Sequence, residues 1–324
     1  MKAIVCKEFA PVSALSFMDV DEPVAKPGEV VLDVAAVGVN FPDSLLVQGL
    51  YQMKPALPFI PGSEVAGTIS QVGEGVPYLK QGMRVIGVCQ LGGYAQKVAV
   101  PMAQVMPIPD SIPLDEAAGL TTAHATAHHA LKQRAQLQAG ETLLVTGAAG
   151  GTGLAAVQIG KIMGATVIAV CSNDEKCEVA KQNGADITIN YSDKDLKETV
   201  KTLTKGKGVD VVYECVGGDT FHACTRIMAW AGRLLVIGFA GGEIPKFPVN
   251  LALVKGFSVV GVFWGSFVAH QPKDFMQNMQ ELVQWYSEGK VKVVVDKAFA
   301  LEDAVKGIER VTSRAVMGKV VLLP

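Results

Sequence analysis

No stretch of this 324-residue chain approaches the roughly twenty consecutive apolar residues that cross a bilayer. The opening MKAIVCKEFAPV reads as a strand and lacks the blocks of a signal peptide, so no membrane association is expected. The six cysteines, Cys6, Cys89, Cys171, Cys177, Cys215 and Cys224, form no CxxC pair. That removes the clustered thiolates of a zinc lobe and leaves buried free thiols in a reducing, cytoplasmic compartment. No HExxH occurs; His124 and His128 stand at i, i+4 in TTAHATAHHAL without a glutamate base, and are read as structural or interfacial. No metal site is expected. Only 19% of residues are charged, the net charge is −2, and no Lys/Arg stripe forms, which excludes a nucleic-acid footprint. Repeats and low-complexity segments are absent as well.

What the chain has is apolar bulk, 49% of its residues, arranged in two textures. Residues 1–100 carry short strands punctuated by Gly and Pro: Lys2–Cys6, Val30–Val37, Val65–Val72, Arg84–Val88 and Tyr94–Val100. That pattern predicts a largely antiparallel unit. From about Pro113 strands alternate with helices, the strands being Thr142–Thr146, Thr166–Cys171, Ile187–Asn190, Val209–Tyr213, Arg233–Ile237 and Phe257–Phe263. Strands separated by helical crossovers make a doubly wound parallel sheet, so the fold class is α/β. After Phe263 the rhythm stops: a helix near Lys273–Glu288, a helix Leu301–Val311 and a closing strand Gly318–Leu323 are expected to return to the first unit.

The segment Thr142–Ile159, TLLVTGAAGGTGLAAVQI, carries the first chemical signal. An apolar strand runs into a glycine-rich turn that opens a helix, with a second strand, Thr166–Cys171, one βαβ unit later. Glycine lets the backbone approach a pyrophosphate, and the helix offers its first amides to the anion. Ala149, Gly150, Gly151, Thr152 and Gly153 are therefore candidate contacts for a dinucleotide.

The end of the second strand separates the two nicotinamide cofactors. A site for the unphosphorylated form places Asp or Glu there, about 20 residues past the glycines, on the ribose 2′-hydroxyl. This chain has Cys171 at that place, followed by Ser172 and, one helical turn on, Lys176. A hydroxyl and a cation welcome a 2′-phosphate, and Tyr191, past the third strand, adds a phenol. NADPH is the cofactor expected.

The order GVNFPD, PGSEVAG, AAGGTG and SRAVMGKVVLLP resembles, across the whole chain, the zinc-independent medium-chain dehydrogenase/reductases. Within them it is most similar to the NADPH:quinone oxidoreductases, the zeta-crystallin group. The resemblance implies a GroES-like, mainly β catalytic domain (1–121), a Rossmann NADPH-binding domain (122–264), a return to the catalytic domain (265–324), and an active site in the cleft between. It also implies that Ser172, Lys176 and Tyr191 face the 2′-phosphate. Thr126, Gly238, Phe239, Phe263, Trp264 and Gly265 match the positions that hold the cofactor's ribose and carboxamide.

Departures from the zinc-dependent relatives carry chemistry. Asn40 in GVNFPD and Ser63 in GSE stand where those enzymes have Cys and His ligands, while Asp43 and Glu64 remain. Alcohol oxidation then lacks its Lewis acid, whereas hydride delivery to an electrophilic acceptor survives. Asn40 can donate to a carbonyl or to the cofactor ribose, or simply cap a turn before Pro42. Tyr51 can donate a proton or stack on a flat acceptor, or simply pack its loop. The acceptor expected is a quinone. The alternatives are an enone, alkenal or enoyl-thioester of the acryloyl-CoA type, and a non-catalytic nucleotide-binding role. Finally, FSVVGVFW over Phe257–Trp264 reads as an apolar strand at the sheet edge, which predicts a homodimer through that edge, or a dimer of such dimers.

Overall fold

The sequence EVVLDVAAVGV, apolar at nearly every position, forms the long strand Glu29–Val39, and most of its residues are buried. In the computed structural model, which describes residues 1–324, this strand pairs antiparallel with Glu64–Val72, Lys97–Pro101 and Lys319–Leu323. A seven-stranded sheet results, in which only Val295–Ala300 lies parallel to its neighbour, Lys319–Leu323. Val30, Leu32, Val65, Ile69, Val85, Val98, Val320 and Leu322 fill its core, together with Ala304 and Ile308 of helix Ala304–Thr312. The chain's two ends thus share one core. They belong to one unit, Met1–Thr122 with Pro272–Ser287 and Val293–Pro324; Ala123–Gln271 with Glu288–Lys292 form the other.

The second unit has a six-stranded parallel sheet, and its central strand Val209–Glu214 is buried at every position. Continuous burial is what a parallel sheet covered by helices on both faces demands. The strand order is Ile187–Asn190, Thr166–Cys171, Thr142–Thr146, Val209–Glu214, Met228–Val236, Ser258–Gly261. In chain order this is 3-2-1-4-5-6, the Rossmann arrangement, with its switch point between Thr142–Thr146 and Val209–Glu214. Dinucleotides bind outside the carboxyl ends of the strands at such a point.

Three expectations change. The run Phe257–Trp264 is not one strand: Ser258–Gly261 pairs at the sheet edge, and Trp264–His270 is a helix that Phe263 precedes as cap. The return to the first unit begins at Pro272, not at residue 265, because helix Trp264–His270 packs within the second unit, where Phe267 stacks on His129 at 3.8 Å. Glu288–Lys292 also stays there: Gln158 holds both backbone groups of Lys292, at 2.9 and 3.1 Å. Finally, the strand expected from Tyr94 starts at Lys97, and the Tyr94 side chain turns into the core instead.

Around Thr126–His129 the helix is flanked by π-helical turns at Thr121–Ala125 and Ala130–Arg134, and His124 and His128 are buried in it. All six cysteines are free thiols. No helix is long and apolar enough to cross a membrane.

Candidate active site

In the second unit, strand Thr142–Thr146 ends at Gly147 and the helix Gly151–Ile162 begins with Gly150 as its cap. The first bond of the helix at this cap runs from the Leu154 N–H to the Gly150 carbonyl (2.8 Å). The amides of Gly151, Thr152 and Gly153 therefore precede the intrahelical ladder, where an anion finds donors. The glycines differ in what they permit. A Cβ on Gly153 would collide with the Gly147 carbonyl and stand 2.8 Å from the Ala148 Cα, so the turn itself requires glycine there. A Cβ on Gly150 would meet only the Gly147 oxygen, at 3.4 Å, so that position faces open space through which a ligand can approach. Ala149 is buried beneath the turn. The Thr152 hydroxyl bonds the Tyr213 phenol and lies 3.4 Å from the Ala123 carbonyl, so its backbone amide is what it offers a ligand.

Ser172, Lys176 and Tyr191 come together at the carboxyl ends of the next two strands. Asn173 caps helix Asp174–Gln182 by accepting the Lys176 N–H (2.9 Å), and this turn brings the Lys176 ammonium 3.3 Å from the Ser172 hydroxyl. The Tyr191 N–H donates to the Cys171 carbonyl (3.0 Å), and its half-exposed ring follows. Burial pushes the Cys171 thiol up to about 12, so the position that carries a carboxylate in other sites carries a neutral group here. Two nearby carboxylates are engaged by Asn190, which donates its amide to Asp174 (2.9 Å) and to Asp193 (2.7 Å). A glycine turn with free first-turn amides, beside a hydroxyl–ammonium pair, fits a phosphorylated dinucleotide.

The remaining predicted contacts stand on three other segments of this unit. Thr126 starts the short helix Thr126–His129 and is half-buried. Gly238 and Phe239 follow strand Met228–Val236 in a loop held by Ile237 N–H to Glu214 O (2.9 Å) and Ala240 N–H to Cys215 O (3.0 Å). Phe263 is exposed, Trp264 buried and Gly265 exposed where helix Trp264–His270 begins. Sequence reasoning missed Glu214 at the switch point. Its fully buried carboxylate accepts the N–H groups of Val216 and Gly217 and the Thr146 hydroxyl, and so shapes the loop that leaves the central strand. A charged residue closing the apolar run VDVVYE was the available signal.

In the first unit Asn40 sits at the end of the long strand, in extended backbone, and caps helix Phe41–Val47. Both ends of its side-chain amide are engaged. Nδ2 donates to Glu64 Oε1 (2.8 Å) and to the Gly38 carbonyl (3.3 Å), while Oδ1 accepts from Lys319 Nζ (2.7 Å). The donor role expected of Asn40 is thus occupied by Glu64, and a second lone pair on Oδ1 is what remains for a ligand. The same ammonium reaches Glu64 Oε1 at 2.7 Å, and Glu64 Oε2 accepts the Thr122 N–H at 2.6 Å. Lys319 was not singled out from the sequence; a lysine opening the apolar strand KVVLL, 4% exposed, is the trace it leaves.

Asp43 adds a second buried carboxyl. Its Oδ2 accepts the Tyr94 phenol (2.9 Å) and the Asn40 N–H (2.8 Å), and burial pushes its pKa up to about 6. Tyr51 packs against Leu46, Val47 and Phe59; burial, and then the Asp43 charge, raise its phenol above the ordinary value. No group of three or more His, Cys, Asp or Glu side chains converges to hold a metal ion.

A Rossmann sheet with this glycine turn, in one chain with a mainly antiparallel unit that the C-terminal strand completes, defines a medium-chain dehydrogenase/reductase. Residues 26–110 match the family model of the alcohol dehydrogenase GroES-like domain, and residues 151–285 that of the zinc-binding dehydrogenase. Quinone oxidoreductase-like protein 2 of Bos taurus is 39% identical over 322 residues, 99% of this chain and 92% of that protein. The quinone oxidoreductase of Rattus norvegicus is 33% identical over 326 residues, covering 100% and 98%. A crystal structure of Escherichia coli quinone oxidoreductase complexed with NADPH superposes with a TM-score of 0.94 at 29% identity, over 100% of both chains. The chain belongs to the quinone oxidoreductase family, in the zinc-independent branch of the medium-chain dehydrogenase/reductases, and is an oxidoreductase.

Proposed function

We propose that this enzyme takes a hydride from NADPH and delivers it, with a proton, to a quinone. The observation that carries the reading is the Lys319 ammonium, 2.7 Å from both Asn40 Oδ1 and Glu64 Oε1. Asn40 and Ser63 stand where the zinc-dependent relatives have their Cys and His ligands, and the Asn40 oxygen already holds a cation. Alcohol oxidation through a metal-bound alkoxide therefore lacks its donors, while a conjugated acceptor needs none, because conjugation takes up the incoming charge.

The cofactor reading rests on Ser172 and Lys176, beside the neutral Cys171, and agrees with the NADPH complex of the Escherichia coli relative. NADPH, when bound, supplies the hydride. Gly150 to Gly153 and the helix behind them hold its pyrophosphate, and Ser172, Lys176 and Tyr191 its 2′-phosphate. Thr126, Gly238, Phe239, Phe263, Trp264 and Gly265 are the proposed contacts for its ribose and carboxamide. Asn40 offers an acceptor oxygen to a hydroxyl. Tyr51, a phenol protonated at neutral pH, is the proton donor to the reduced acceptor.

Two further readings accompany this one. Free thiols throughout support a reducing compartment, the cytoplasm. The strand Ser258–Gly261, unpaired on its outer side, together with exposed Trp230, Leu253 and Val254, supports a homodimer.

The test is steady-state oxidation of NADPH with a soluble ortho-quinone and with a medium-chain enone, each repeated with NADH. A higher kcat/KM for the quinone with NADPH is expected. Preference for the enone would move the enzyme to the double-bond reductases, and preference for NADH would overturn the phosphate assignment.

A further inference from the structure

Lys319 and Glu64 are both buried, their side chains 5% and 0% exposed, and they face each other at 2.7 Å. Such a pair contributes little net stability: desolvation of two charges offsets their attraction, and apolar residues of equal volume often do as well. Its geometry nevertheless leaves no freedom. The ammonium gives its three protons to the Val39 carbonyl (3.2 Å), Asn40 Oδ1 (2.7 Å) and Glu64 Oε1 (2.7 Å). Glu64 takes Asn40 Nδ2 on Oε1 (2.8 Å) and the Thr122 N–H on Oε2 (2.6 Å).

The consequence falls on Asn40. A carboxamide of this kind has two orientations of nearly equal shape, with oxygen and nitrogen exchanged. An ammonium only donates and a carboxylate only accepts, so with Lys319 on one side and Glu64 on the other, one orientation alone satisfies both charges. The surroundings are fitted to this arrangement. A Cβ on Gly38 would collide with Glu64 Oε1 and the Ala118 carbonyl, so the long strand carries glycine where the carboxylate passes. A Cβ on Gly119 would stand 2.8 Å from Val293 Cγ1 and 3.3 Å from the Lys319 Cγ, so a small residue leaves room for the valine and for the lysine stem together.

We propose that Lys319 and Glu64 are a positioning pair that locks the Asn40 carboxamide with its oxygen outward-bonding. The second lone pair of Oδ1 is thereby reserved for a hydroxyl donor, on the cofactor or on the acceptor once it is reduced. This rests on the reading that places Asn40 in the active site. Neither charge takes part in the transfer itself: they act through Asn40, and their effect belongs in kcat more than in cofactor affinity.

The informative variant is the neutral double substitution Lys319→Met with Glu64→Gln, which removes both charges at nearly constant volume and leaves no buried ion unpaired. Three readings are taken on it. The Asn40 side-chain amide signal in a 15N spectrum, identified by its loss in Asn40→Asp, is expected to shift and to lose its protection from hydrogen exchange. NADPH affinity by cofactor fluorescence is expected to change less than about threefold, while kcat falls about 10- to 100-fold, the scale of a small misplacement near the reacting atoms. Lys319→Arg keeps the charge on a larger, planar head, so it is expected to lose less kcat than the neutral variant, and it covers the case in which the double variant fails to fold. An unchanged Asn40 signal, or a kcat within twofold of the parent, in the double variant overturns the proposal; so does an Arg variant as impaired as the neutral one. If the parent enzyme reduces neither quinone nor enone, it is the functional reading that fails, and the Asn40 signal, which needs no substrate, decides the positioning role alone.

Discussion

The ammonium of Lys176 lies 3.3 Å from the hydroxyl of Ser172, and the turn that joins them is fixed by Asn173 capping the helix through the Lys176 N–H. The proposed 2′-phosphate contacts thus lie on one helical turn. A charge-assisted contact to a phosphate contributes about 1.5–3 kcal/mol, or roughly 10- to 100-fold in binding. Lys176→Ala is expected to raise KM for NADPH by that factor while KM for NADH moves less than about threefold. An equal response of the two cofactors in steady-state kinetics would remove the phosphate role from Lys176.

The two glycines of the turn separate folding from binding. Gly153→Ala drives a methyl into the Gly147 carbonyl, an overpacking of the kind that costs about 1–3 kcal/mol, and a lowered Tm is expected. Gly150→Ala meets only one oxygen at 3.4 Å, so Tm should hold, yet the methyl enters the space that backbone must leave for a pyrophosphate. A tenfold or greater loss of NADPH affinity at unchanged Tm is expected for Gly150→Ala. Calorimetry and fluorescence titration on both variants check this; full affinity in Gly150→Ala would place the pyrophosphate elsewhere.

Asp43 makes stability depend on pH. Burial raises its carboxyl from 3.8 to about 6, so the folded chain keeps a proton that the unfolded chain has released. The sign follows from linkage: the contribution is fully present below pH 4 and is lost as pH rises through 6, because over that window the unfolded state binds fewer protons. The rise from 3.8 to about 6 bounds the loss at about 3 kcal/mol. Asp43→Asn, which keeps an acceptor for the Tyr94 phenol, removes the titration. Its stability relative to the parent should therefore rise by up to that amount between pH 4 and pH 7 in urea denaturation. A flat difference across the window would show that Asp43 titrates normally.

Much of this fold is legible in the sequence because a parallel sheet is written in continuous apolar runs. Strands Thr142–Thr146, Thr166–Cys171 and Ile187–Asn190 have the bounds that their composition predicts. The candidate cofactor contacts can be named from sequence for a related reason: they are local, with Ser172 and Lys176 four residues apart on one turn. The Asn40 surroundings are not local. Lys319 meets Asn40 across 279 positions and Glu64 across 255, and no spacing in a single sequence reports a pairing set by three neighbouring strands. The apolar run over Phe257–Trp264 misled for a further reason. Hydrophobicity marks burial or an interface, but not where a strand gives way to a helix, and here the change falls at Phe263.

That region yields the last prediction. Strand Ser258–Gly261 ends the six-stranded sheet with an unpaired edge, and large apolar side chains crowd the same flank: Trp230 is 80% exposed, Leu253 83% and Val254 73%. Trp230 lies against Gly256, the left-handed residue that ends helix Asn250–Lys255, and two residues further on the chain enters the edge strand. An apolar sheet edge left in water invites pairing with another chain, and a twofold axis closes that pairing after one copy. Sedimentation is therefore expected to give about twice the 34.2 kDa chain mass at micromolar concentration. Leu253→Lys with Val259→Lys, which places cations on the helix and on the edge, should yield monomers that still bind NADPH, since neither residue belongs to the cofactor site. A parent protein that sediments as a monomer, or a double variant that remains a dimer, would assign this flank no part in assembly.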